Sequence, residues 1–211
     1  AFVFGYLGGG PLPFDEPYTF GYIGSHIPAK RVDLLIQAFS RLQVPAKLKI
    51  WGRPLGQATA ALRNLAASLG QEVSFMGEYD NSDIEEVIFR QVHCIVVPSI
   101  WDENSPLVIH EAQACRVPVI TADVGGMAEY VKDGVNGLLF RHRDVVDLAE
   151  KMALAAANPE VMHKLGQRGY LYHPAGNVPD IGEHCETLLH VYHQAIINNK
   201  QHLKLTTHET A

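Results

Sequence analysis

The stretch HCIVVPSIWDENSPLVIHEAQACRVPVIT, residues 93 to 121, places two short apolar runs, HCIVVPS and VPVIT, on either side of a longer segment. Runs of that length, rich in Val and Ile, read as strands buried on both faces, and Leu107 to Cys115 between them reads as a helix. Two strands joined through a helix are parallel neighbours, because a parallel pair needs a crossover connection. The alternation continues in both directions, with YTFGYIG (18–24), LKIWG (48–52), EVSFMG (72–77) and GLLF (137–140) completing a set of six strand candidates. After the first of them, Val32, Leu35, Ile36 and Phe39 stand at i, i+3, i+4 and i+7, one face of a helix. Six strands separated by helices predict an α/β fold with a doubly wound, Rossmann-like parallel sheet. Farther on, Cys185, Leu188, Leu189, Tyr192 and Ile196 keep helical spacing, so C-terminal helices are expected after the sheet.

Composition narrows the function classes. With 47% hydrophobic and 19% charged residues, the 211-residue chain suits one globular domain rather than a disordered segment. A net charge of -6 argues against nucleic acid as a partner, since such binders usually show a basic face. Cys94, Cys115 and Cys185 are an odd and widely spaced set, which reads as free thiols in a reducing, cytoplasmic setting. No apolar run approaches the roughly 20 residues that span a bilayer. Residues 1–17, with Gly8-Gly9-Gly10-Pro11, read as an entering segment or linker, 18–197 as the domain, and 198–211 as a frayed polar tail. The 11 histidines show no H-x-x-x-H spacing and no C-x-x-C accompanies them, so no metal site is expected. GYIGSHIPAK lacks the G-x-G-x-x-G of a dinucleotide site, and no cofactor is expected.

In a doubly wound sheet, ligands sit beyond the carboxyl ends of the strands, where loops enter helix N-termini. The loop SIWDENSP (99–106) ends in Ser105-Pro106, which predicts Ser105 as N-cap and Pro106 as the first helical residue. The free N–H groups and dipole of that helix end favour an anion, phosphate above all. Glu103 before the helix and Glu111 inside it would flank such a phosphate and accept hydrogen bonds from hydroxyls attached to it. On spacing alone, the favoured reading of the two acids is a solvated loop residue and a surface helix residue. Gly125-Gly126 reads as a tight turn into a helix, and Trp101 as packing beside the site or core.

Taken together, Gly24 and Lys30 in GSHIPAK, VSFMGEY, VVPSIWDENSPLVIHEAQACRVPVITADVGGMAEYV and DGVNGLLF stand in an order that resembles one family. It is the donor-binding, C-terminal half of GT-B glycosyltransferases of retaining family 4, also called glycosyl transferases group 1. Glu, seven residues, Glu marks the donor site of that family. The resemblance implies that Glu103 contacts hydroxyls of the donor sugar and Glu111 the nucleotide ribose. It further implies that the N–H groups around Leu107 and Val108, in the loop Asn104-Ser105-Pro106, hold the diphosphate, that Lys30 adds positive charge beside Gly24 and Ser25, and that Met76-Gly77 lies near the base. One departure stands out. The family usually carries arginine after the first-strand glycine, where this chain has Ser25, which offers one donor and no charge. Arg31 and His26 are the neighbours weighed as its replacement.

The function so implied is transfer of a hexose, with retention and without a metal, from a nucleoside-diphosphate sugar to an acceptor hydroxyl. The acceptor, whether glycan, lipid or small molecule, would bind a missing N-terminal domain, which would also make any peripheral membrane contact. The fragment alone is then expected to bind and not to turn over. The alternatives are a related GT-B enzyme, such as a nucleotide-sugar epimerase, and a non-catalytic nucleotide-binding module.

Overall fold

All six residues of strand β1 (Tyr18–Ile23) are buried, with no polar face, as the unbroken apolar run requires of a strand covered on both sides. The computed structural model describes residues 17–101 and 103–208. The strands that follow are β2 (Ala46–Trp51), β3 (Val73–Gly77), β4 (Cys94–Val97), β5 (Val119–Ala122) and β6 (Gly137–Phe140). Between and after them run helices α1 (Val32–Phe39), α2 (Gly56–Ser68), α3 (Ile84–Val87), α4 (Leu107–Ala114), α5 (Gly125–Tyr130), α6 (Val145–Ala157), α7 (Pro159–Arg168) and α8 (Ile181–His208). The strands pair in parallel in the order β3-β2-β1-β4-β5-β6. This is the predicted doubly wound sheet, and each of the six apolar runs is one of its strands.

Chain order reverses between β1 and β4, where Phe20 pairs with Cys94 and Gly21 with Ile95. Packing at this junction is tight enough to specify glycine. A Cβ on Gly21 would lie 2.8 Å from Val92 Cγ1 and 2.9 Å from Ile95 Cδ1. Beyond the sheet, the buried Arg116 spends its guanidinium on the segment after α7. It donates to the carbonyls of Gly176 at 2.7 Å and Ala175 at 2.9 Å, and to the Asn177 amide oxygen at 2.6 Å.

The chain divides after Val178 into two compact units. Helical spacing identifies α8 as a helix but cannot assign it to a unit, which is why the expected domain boundary at 197 differs from the division at Val178. The second unit opens with a reciprocal cap: Asp180 Oδ1 accepts from Glu183 N–H at 2.9 Å, and Glu183 Oε2 accepts from Asp180 N–H at 3.0 Å. Its helix continues to His208, so most of the segment expected to be a frayed tail is helical. Lys, Gln and Leu in that segment are good helix formers, and no Gly or Pro interrupts them. The expected linker lies outside the described residues but for Pro17. Among the described residues, no helix is long and apolar enough to cross a membrane.

Gly21→Ala should destabilise the protein by about 1–3 kcal/mol through overpacking against Val92 and Ile95. Urea unfolding checks this; an unchanged midpoint would mean the β1–β4 junction has room to spare.

Candidate functional site

The loops leaving β1 and β4 are clasped to each other at the switch point. The Ala29 carbonyl accepts from Ile100 N–H at 2.9 Å and from the Ser99 hydroxyl at 3.3 Å, and Ser99 Oγ in turn accepts from Trp101 N–H at 3.1 Å. Lys30 follows Ala29 at the end of a 3-10 turn, Pro28–Lys30. Its Nζ forms an ion pair with Glu103 Oε1, with the two side chains 29% and 17% exposed. The backbone under Glu103 is held as well, because Gly126 N–H donates to the Glu103 carbonyl at 2.7 Å. Any Cβ on Gly126 would fall 2.0 Å from the Asn104 carbonyl oxygen, so this close approach admits only glycine. The Gly125-Gly126 pair does open a helix as expected; its grip on the Glu103 loop was not legible from the dipeptide.

Helix α4 begins one residue later than the sequence suggests. Pro106, extended at φ -70° and ψ 110°, occupies the cap position and supplies no side-chain cap. Ser105 Oγ lies 2.9 Å from His110 Nε2, so the expected N-cap is corrected: the imidazole one turn along takes the hydroxyl. Leu107 is exposed at the first turn, while Val108 leans against the core. Glu111, one turn farther in, is 8% exposed, and burial pushes its carboxyl up to about 7. Its charge is felt at Tyr79, whose phenol is pushed up to about 12 by burial and then by Glu111. Tyr22, beneath the clasp, donates to the Ser25 carbonyl at 2.9 Å; burial and the Glu103 charge hold its phenol well above the ordinary range.

A cleft of about 270 Å³ joins the ends of β1, β2 and β3, lined by Gly24, Ser25, Gly52, Arg53, Tyr79 and Asn81 among others. Its cation is Arg53, which sequence reasoning passed over; the only signal for it was its place just after the β2 glycine. Arg53 is held loosely, 3.6 Å from Glu78, with both side chains exposed. The two residues weighed as substitutes for the missing arginine are engaged elsewhere. Arg31 pairs with Asp33 at 2.9 Å and lines a separate hollow of about 240 Å³, and buried His26 sets Nδ1 2.8 Å from Thr59 Oγ1. Met76 is exposed on edge strand β3 and is not among the lining residues of the cleft. Gly77 contributes its carbonyl to Gly52 N–H at 2.8 Å.

Comparison with known proteins bears on the family and the fold. The family model described as Glycosyl transferases group 1 matches residues 10–172. A D-inositol 3-phosphate glycosyltransferase of Mycobacterium sp. (strain KMS) is 34% identical over 149 residues, 68% of this chain and 33% of the relative. An uncharacterized glycosyltransferase of Methanocaldococcus jannaschii is 32% identical over 154 residues, 72% of this chain and 42% of the relative. The chain thus spans about a third of the length of the first curated relatives it matches. Among solved structures, Anabaena HepE in complex with UDP and glucose superposes with a TM-score of 0.69 at 23% identity, covering 75% of this chain and 44% of that one. Sucrose-phosphate synthase of Thermosynechococcus elongatus gives a TM-score of 0.65 at 30% identity, covering 74% of this chain and 40% of that one.

The raised Glu111 carboxyl has a stability consequence whose sign is fixed. A carboxyl with a folded pKa of about 7, above its ordinary 4.5, binds more protons folded than unfolded in between, so stability falls as pH rises through that window. Glu111→Gln stays neutral and should remove the loss. The variant should match the parent near pH 4.5 and exceed it by up to about 3 kcal/mol at pH 8. Urea unfolding of both proteins across that range is the measurement, and parallel curves would show that Glu111 titrates normally.

Proposed function

The chain belongs to the glycosyl transferases group 1 family, and from that premise we propose that it is the donor half of a retaining family 4 hexosyltransferase. Together with an acceptor-binding half, it moves a hexose from a nucleoside-diphosphate sugar to an acceptor hydroxyl on a glycan, lipid or small molecule, without a metal. The observation that carries this reading is the meeting of Lys30 and Glu103 at the switch point, on the loop into an α4 first turn that its cap residue Pro106 leaves uncapped.

Transfer breaks the bond between the anomeric carbon and the diphosphate, so negative charge grows on the departing oxygen. Lys30, Arg53 and the N–H groups of Leu107 and Val108 receive that charge, the N–H groups from positions that the helix fixes before the reaction. Arg53 takes the part of the family arginine that Ser25 cannot play. Glu103 orients the sugar through its hydroxyls. Glu111 receives the ribose hydroxyls, a role supported by the reach of its charge to Tyr79 on the cleft wall. HepE shares the fold and has been crystallised with UDP-glucose, which makes a uridine nucleotide the first probe.

Calorimetric titration in EDTA with UDP-glucose, GDP-mannose and ADP-glucose should find one that binds, and Lys30→Ala should weaken it about tenfold. The same chain should form no glycosylated product with any acceptor. A requirement for manganese would overturn the metal-free site, and turnover by this chain alone would overturn its assignment as the donor half.

A further inference from the structure

The geometry points to a second role for Glu103: it competes with the diphosphate for Lys30, and so makes the site select the intact nucleotide-sugar over the spent nucleotide. This rests on the donor-site reading above. Lys30 is brought to the loop that leads into α4, yet its ammonium is already engaged by the Glu103 carboxylate. The pair is partly shielded from water, so it is screened less than a surface ion pair. Its carriers are fixed: Ala29 is clasped to Ile100, and the Glu103 carbonyl to Gly126. Only the side chains are left to swing, and the flexible four-carbon stem of Lys30 allows it.

A bare nucleoside diphosphate arriving here meets a neutralised lysine. If the ammonium turns to the phosphate, Glu103 loses its counter-charge while half-shielded from water, which is costly. If one of the three ammonium donors stays with Glu103, carboxylate and diphosphate are held close together and repel. The intact donor escapes both penalties. Its sugar hydroxyls donate to Glu103 and replace the lost Lys30 contact, so the ammonium is released to the diphosphate. Once the sugar has left for the acceptor, those donors are gone, Glu103 recaptures Lys30, and the diphosphate is weakened at the moment it must depart. The ion pair is therefore a selectivity device: it costs the empty site little and handicaps the product.

The test is calorimetry of UDP, GDP and ADP against UDP-glucose, GDP-mannose and ADP-glucose, with Glu103→Gln, Glu103→Ala and Lys30→Met, singly and combined. For the base that binds, Glu103→Gln and Glu103→Ala should each tighten the bare diphosphate by about three- to tenfold while weakening the nucleotide-sugar. In the Lys30→Met background, the same Glu103 substitutions should change diphosphate affinity by less than about twofold, since there is no lysine left to release. Diphosphate binding that is unchanged or weakened by both Glu103 variants overturns the competition and leaves the donor site standing. Equal tightening with and without Lys30 overturns it too, because the effect is then plain removal of a negative charge. Failure of the parent to bind any nucleotide or nucleotide-sugar overturns the donor reading and this inference with it.

Discussion

The pairing of β1 with β4 is the constraint from which the rest of the site follows. Where two strands far apart in sequence become neighbours, the helices that follow them pack on opposite faces, and the loops at their carboxyl ends part to leave a crevice. In this chain the crevice is not left open to drift. The Ala29 carbonyl, one residue before Lys30, accepts from the loop that carries Glu103, so the hydrogen bond that closes the backbone also sets two charged side chains face to face. Gly21 lets the strands approach, and Gly126 braces the far side of the same loop.

Burial divides the two acids chemically. Glu103 stands before α4 with an ammonium beside it, whereas Glu111 sits inside the helix, nearly sealed from water, with its carboxyl lifted toward neutrality. One is an ion with a partner, and the other is a buried carboxyl whose surroundings favour the proton. The same residue type, eight positions apart in one segment, is thus given two different chemistries by its surroundings alone.

The strands were legible because a parallel sheet covered on both faces needs continuous apolar runs, and six such runs stand in the sequence. Glu103, Glu111 and Lys30 were legible as candidates through motif order, and the structure brings Lys30 to Glu103. Spacing along the chain carries no information about that contact, which spans 73 positions. Ser105 was misread as a cap because the rule for helix starts considers only the local backbone, and His110 competes for the hydroxyl from one turn away. Arg53 escaped notice because a lone exposed arginine after a strand has no pattern; only the closing of three strand ends around one cleft gives it a neighbourhood.

Arg116 decides where this half can be cut and joined. Its guanidinium is buried, and three of its acceptors come from Ala175, Gly176 and Asn177. The family match ends at residue 172, before any of them. A hybrid enzyme spliced at that border would strand a charged group in the interior, a penalty of several kcal/mol. A seam past Asn177, near the division at Val178, carries these three acceptors across together with the buried cation they solvate.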